Sequence, residues 1–219
     1  MWYFNTDRHQ YNCRSLFISL NINSDLFNDY IKNFYKNLNN QRVDIDRIPY
    51  IDSLHITLFK IHLKFPITNT DMFEKFKETL RYSAEAIRNS INTLTPTKLK
   101  YGHKSDTVTL FFDDYSQNIL ENICNKIKDI FNEAKIGNIE TKYSYFAHIT
   151  ITKQTNKYTP GQYDPDVHKI QKIVKNFNKR KIPNLKPNIL YILKPDKDTL
   201  RHRRDFLYLN TVEKLSNEI

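Results

Sequence analysis

The hexapeptide HITLFK, His55–Lys60, returns as HITITK, His148–Lys153, and the two starts lie 93 residues apart (148 − 55). Both copies sit in runs rich in β-branched and aromatic residues, SLHITLFKIHL (Ser53–Leu63) and YFAHITITK (Tyr145–Lys153), which is the composition of strands. Side chains at i and i+2 of a strand share a face. His55 and Thr57 therefore project together, and so do His148 and Thr150. Ile56, Leu58, Ile149 and Ile151 point the other way, where they can anchor in apolar core. Each strand offers one imidazole and one hydroxyl, held from behind.

Other elements follow outward from these strands. Leu16–Ile22 alternates apolar and polar residues as a half-buried strand does. Ser24–Asn40 opens on a cap-like Ser-Asp and repeats Leu26, Phe27, Tyr30, Ile31, Phe34, Tyr35 and Leu38 at helical spacing. Further helices are predicted over Asn69–Ile91, Ser116–Ala134 and Val167–Arg180. Thr107–Phe112, Pro187–Leu193 and Asp205–Asn210 read as strands, and a shorter one precedes the turn at Gly102. Strands and helices recur in mixed order, with one His-x-Thr strand in each half and no low-complexity linker between. The fold class is α+β: two pseudo-symmetric lobes, each a small, mostly antiparallel sheet with flanking helices, packed as a single unit over residues 1–219.

Composition narrows the chemistry. The 219 residues hold 34 Lys and Arg against 24 Asp and Glu, a net charge of +10, which favours polyanionic partners. The only glycines are Gly102, Gly137 and Gly161. A P-loop or a dinucleotide fingerprint needs several glycines in one turn, so side chains must handle any phosphate here. Cys13 and Cys124, the only cysteines, stand in no metal or redox spacing and read as free buried thiols. His9, His62, His103, His168 and His202 form no metal-ligand spacing either. No cofactor or metal is expected. No apolar run is long enough to span a bilayer, and Met1–Ser15 lacks the layout of a signal peptide. The expected location is cytoplasmic or nuclear, with neither membrane nor obligate protein partner. Richness in Asn, Lys, Ile, Tyr and Phe fits an AT-rich genome, viral or parasitic.

A single His-x-Thr carries little information; two copies on strong strands carry much more. Imidazoles titrate near neutral pH, so one can take a proton from an attacking hydroxyl while the other gives one to a leaving oxygen. Threonine hydroxyls can donate to a phosphate oxygen as charge builds on it. With His55-Ile56-Thr57-Leu58 and His148-Ile149-Thr150-Ile151 the chain resembles the 2H phosphoesterase superfamily. That resemblance implies two half-sheets facing a central cleft, with His55, Thr57, His148 and Thr150 catalytic. It also implies metal-independent cleavage of 2′-linked nucleotides (2′,5′-oligoadenylate or a 2′,3′-cGAMP-type cyclic dinucleotide), an activity by which viral members counter host signalling. RNA-end processing, by opening a 2′,3′-cyclic phosphate or by trimming RNA 3′ ends, and a non-catalytic nucleotide-binding role are the rival readings.

Strand parity extends the expected face. Ser53 and Phe146 at i−2, with Phe59 and Thr152 at i+4, share it, and Phe146 or Tyr50 could stack a base. Tyr50, Phe59, Phe146 and Thr152 are thus the candidate substrate-binding residues. Lys60 and Lys153 stand at i+5, an odd offset that places them on the opposite face as strand-end charge. Arg201–Arg204 is a solvated basic cluster that could draw a polyanion toward the cleft.

Overall fold

Apolar residues recurring at period two or period 3.6 set the elements. The computed structural model describes residues 15–22, 24–47, 54–63, 70–102, 106–139, 145–154, 164–195 and 206–214. β1 (Ser15–Ile22) is followed by α1 (Asp25–Asn40), β2 (Ile45–Arg47), β3 (His55–Leu63) and α2 (Thr70–Ile87). After a 3-10 turn at Arg88–Ser90 come β4 (Pro96–Gly102), β5 (Thr107–Phe112) and α3 (Asp114–Glu133). β6 (Gly137–Ile139), β7 (His148–Gln154), α4 (Pro165–Phe177), β8 (Pro187–Pro195) and β9 (Phe206–Lys214) complete the order. The predicted helices and longer strands all form. β2 and β6 were not predicted, because three residues are too few to display a period.

The class is α+β, as expected. The strands form one nine-stranded sheet in the order β4-β5-β7-β3-β1-β8-β9, with β2 on β7 and β6 on β3. Every pairing is antiparallel. The expected lobes are two half-sheets, β3-β1-β8-β9 and β7-β5-β4. They meet where β3 and β7 share a single bridge, Ile56 opposite Ile149.

The two halves of the chain are interleaved. Both run strand, helix, short strand, His strand, helix, strand: β1-α1-β2-β3-α2-β4 and then β5-α3-β6-β7-α4-β8. Yet β2 pairs with the His strand of the second half, and β6 with that of the first. The helices cross over as well. α3 lies behind β3, with Phe59 packed edge-on against Phe131 at 5.7 Å, and Phe76 of α2 meets the same ring at 5.5 Å. α1 packs on α4 through Phe34 and Phe177, ring centroids 5.2 Å apart. Such aromatic pairs add about 0.5–1.5 kcal/mol each beyond their buried area. Gly137 makes the crossing of β6 sterically acceptable, since a side chain there would collide with the His62 carbonyl.

Helix ends are set locally. The Asp113 side chain accepts the Ser116 N–H at the start of α3, and Asp164 accepts the Asp166 N–H at the start of α4, where Pro165 occupies the first turn. Ile56 and Ile149 are fully buried, and Leu58 and Ile151 nearly or wholly so. The apolar side of both His strands is therefore the helix-covered core, and the other side of the sheet is left for chemistry.

Candidate active site

An antiparallel bridge carries a local two-fold axis. With Ile56 opposite Ile149, the register runs Thr57 beside His148 and His55 beside Thr150. All four side chains point away from the buried isoleucines. His55 and Thr57 are half-buried, while His148 and Thr150 are exposed. The structure thus brings together the four residues that the repeated motif singled out, across the seam between the half-sheets.

Just beyond each His-x-Thr the strand carries a bulge. On β3, Thr57 pairs with Ser19 and Phe59 with Ile18, so Leu58 has no partner on β1. On β7, Thr150 pairs with Thr109 and Thr152 with Val108, so Ile151 has no partner on β5. An extra residue reverses the alternation of faces from that point on. Phe59, expected to line the site, is only 5% exposed and packs in the core. Thr152, expected beside it, is buried at 2%. Both assignments are corrected, and the same bulge corrects the lysines. Lys60, opposite Phe17, and Lys153, opposite Thr107, are half-buried residues on the side of the histidines rather than behind them. The lysine shared by both hexapeptides therefore belongs to the same face as the shared His and Thr.

A bulge removes a ladder partner from a carbonyl that is too buried to reach water. In both lobes a helix supplies the missing donor. The Tyr35 hydroxyl of α1 donates to the Ile151 carbonyl at 2.7 Å, and the Cys124 thiol of α3 donates to the Leu58 carbonyl at 3.2 Å. Tyr35 and Cys124 each stand ten residues after the start of their helix (35 − 25 and 124 − 114). Cys124 is a buried free thiol, as expected, and burial pushes its pKa up to about 11, so it remains a donor.

Around this shared frame the lobes differ. Across from His55 on β1 stands Asn21, nearly buried; across from His148 on β5 stands Phe111. Ser19, opposite Thr57, is buried with no hydrogen-bond partner for its hydroxyl among the described residues. Phe146 is 57% exposed, with its ring 5.6 Å from Phe111. It is the one candidate substrate-binding residue that the structure leaves accessible; Tyr50 lies outside the described residues. The Phe146 carbonyl also meets His148 Nδ1 at 2.9 Å. A carbonyl only accepts, so Nδ1 is the donor in this contact and Nε2 is the ring nitrogen it does not engage. Phe111, Phe146, Thr97, Lys98 and Lys100 line a groove of about 540 Å³ that also reaches Asp113 and Asp114.

Among the described residues no cluster of three His, Cys, Asp or Glu side chains could hold a metal ion, and no helix is long and apolar enough to cross a membrane. His62 shares the open face of β3 and His168 is exposed on α4. His9, His103, His202, Cys13, Ser53 and the Arg201–Arg204 cluster lie outside the described residues.

The residues missed by sequence reading were Lys60, Lys153, Tyr35, Cys124, Asn21 and Phe111. Repetition of the lysine was a usable signal for the first two. No repeat marked Tyr35 and Cys124, since the side chains differ.

Comparison with known proteins gives the family and the fold. The AKAP7 2'5' RNA ligase-like domain family matches residues 15–198. None of the curated proteins compared matches the chain. E. coli LigT complexed with 3'-AMP superposes with a TM-score of 0.57 at 16% identity, over 93% of this chain and 98% of that one. The ATP complex of E. coli LigT gives 0.53 at 15% identity, with the same 93% and 98% coverage. The MHV ns2 PDE domain gives 0.51 at 10% identity, over 66% of this chain and 86% of that one. At such identities the likeness is one of fold.

Proposed function

Because this chain belongs to the AKAP7 2'5' RNA ligase-like domain family, within the 2H phosphoesterases, we propose that it is a metal-independent phosphodiesterase of 2′-linked nucleotides. The substrate classes are 2′,5′-oligoadenylate and mixed-linkage cyclic dinucleotides. The observation that supports this reading is the Ile56–Ile149 bridge, which puts the two His-x-Thr pairs on neighbouring positions of two paired strands. LigT, a neighbour in fold, is known in complexes with 3'-AMP and ATP, which supports a nucleotide substrate.

The reaction follows from the groups present. One imidazole removes a proton from a ribose hydroxyl vicinal to the phosphate. That oxygen attacks phosphorus, and the leaving 5′-oxygen takes a proton from the other imidazole. Thr57 and Thr150 donate to the non-bridging oxygens, and Lys60 and Lys153 supply positive charge. A vicinal hydroxyl has a large effective concentration, which compensates for the absence of a metal-activated nucleophile. The substrate must therefore be a ribonucleotide with both the 2′- and the 3′-oxygen in place. Phe146 offers a base a stacking surface beside His148.

Matched 2′–5′ and 3′–5′ adenylate trimers, a DNA trimer, a cyclic dinucleotide and a 2′,3′-cyclic phosphate, with products resolved by chromatography, test the reading. The 2′–5′ trimer should be cleaved faster than its isomer, DNA should be inert, and EDTA should leave the rate unchanged. Cleavage of DNA, or loss of activity in EDTA restored by a divalent ion, overturns the mechanism. Faster loss of the 3′–5′ isomer replaces the substrate class with RNA ends.

A further inference from the structure

The open face of the second lobe is a grid. Cross-strand partners in a sheet point to the same side, so its rows can be read from the register. Lys98 pairs with Phe111, and Phe111 with His148. In the next row Lys100 pairs with Thr109, and Thr109 with Thr150. Each row begins at a candidate catalytic residue on β7, crosses β5 and ends on a lysine of β4. Lys98, Lys100 and Thr97 are exposed, whereas Leu99 and Tyr101 face the core. β4 ends the sheet order on this side.

We propose that this surface is a binding track for a linear oligonucleotide, running from the scissile phosphate at His148 across Phe111 and Phe146 to Lys98 and Lys100. The proposal rests on the phosphodiesterase reading above and adds the form of the substrate. β4 is two strand spacings from β7, about 10 Å. That is beyond the reach of the phosphodiester held between the histidines and suits a phosphate further along the same chain. The aromatic pair lies between the two, where a base would stack as the backbone passes. β4 is the last strand on this side, and its outer edge is taken by the Asn178 side chain, which accepts from the Leu99 N–H at 2.8 Å and donates to the Leu99 carbonyl at 2.9 Å, so the track ends at the β4 lysines. Two acidic residues border the groove. Asp113 caps α3, and Asp114 is exposed in the groove lining, where a carboxylate can accept from ribose hydroxyls or base amino groups.

The test compares a dye-labelled adenylate hexamer with the dimer of the same linkage. Binding of the hexamer should weaken with salt, and the double variant Lys98→Ala/Lys100→Ala should reduce the log–log slope by about 1.4, at 0.7 per phosphate contact on a single strand. The hexamer-to-dimer ratio of kcat/KM should fall on the order of tenfold at 0.1 M salt. Lys98→Arg/Lys100→Arg should restore both. An unchanged slope and ratio overturn the track, and that is the result expected if this face docks a protein instead. If the wild-type chain cleaves neither oligonucleotide, the phosphodiesterase reading fails, and the binding slope alone decides the track.

Discussion

Two copies of one strand motif meet at the seam, and their surroundings differ in kind. On β3 the histidine is half-buried beside Asn21, and on β7 it is exposed beside Phe111 and Phe146. What is shared runs deep: His, Thr, a bulge one residue later, a lysine returned to the face, and a helix donor on the bulge carbonyl. What is not shared is the cross-strand neighbour of the histidine, Asn21 in one lobe and Phe111 in the other. In-line cleavage needs an acid and a base on opposite sides of phosphorus, which a two-fold arrangement supplies. A nucleotide has no two-fold axis, so recognition must break the symmetry. The track proposed above puts that break on β5 and β4, in one lobe.

The strongest way to test the shared part is to remove it. His55→Ala and His148→Ala should each lower kcat by about 10²–10⁴-fold, the usual worth of a general acid or base. Combining them should add little, because the two act as a unit. A single variant with near-normal turnover would mean that one copy is dispensable and the equivalence is only structural.

The lysines sharpen the comparison at a finer level. A charge-assisted hydrogen bond is worth about 1.5–3 kcal/mol, so Lys60→Ala and Lys153→Ala should each cost about 10–100-fold in kcat/KM. Similar losses place both at the phosphate. A loss confined to Lys153, measured on the same substrate, would show that the asymmetry extends to the chemistry as well.

Smaller effects should come from the donors behind the bulges. Tyr35→Phe leaves the Ile151 carbonyl buried without its partner, at about 1–3 kcal/mol, or a fall in Tm of about 2–4 °C per kcal/mol for a chain of this size. Cys124→Ala should cost less, since a thiol is a weak donor. Thermal melts of the two variants rank them; equal losses would mean that bond strength at the bulge does not matter.

A pH dependence follows from the same thiol. Burial raises the Cys124 thiol from 9.0 to about 11, with Lys128 opposing and Glu121 assisting the rise. In that window the unfolded chain has already released its proton while the folded chain holds it. The unfolded state then binds fewer protons, so stability falls as pH rises from about 9 to about 11. Urea titrations across that range should show the wild-type chain losing stability faster than Cys124→Ala; parallel curves would contradict it. Tyr30 and Tyr101 titrate in both proteins and cancel in the difference, whereas Tyr145, raised by burial and then by the Cys124 charge, is coupled to the thiol and belongs to the same effect.

The α+β class, the four described helices, the long strands and the two His-x-Thr pairs were all legible along the chain. Those are local properties: a period of two or 3.6, a cap residue, a side-chain alternation counted from a nearby anchor. Strand alternation held for Phe146, two residues before its histidine, and failed for Phe59 and Thr152, because an inserted residue reverses every position after it. A bulge depends on the partner strand, which lies far away in the chain. The same holds for the exchange of β2 and β6 between lobes and for the pairing of Tyr35 and Cys124 with their carbonyls. It holds also for Lys98 and Lys100, which read as ordinary surface charge until the register of β4, β5 and β7 sets them in rows with His148 and Thr150. Residue types that can do chemistry were visible in one dimension; which of them share a face was decided by hydrogen bonding between strands distant in sequence.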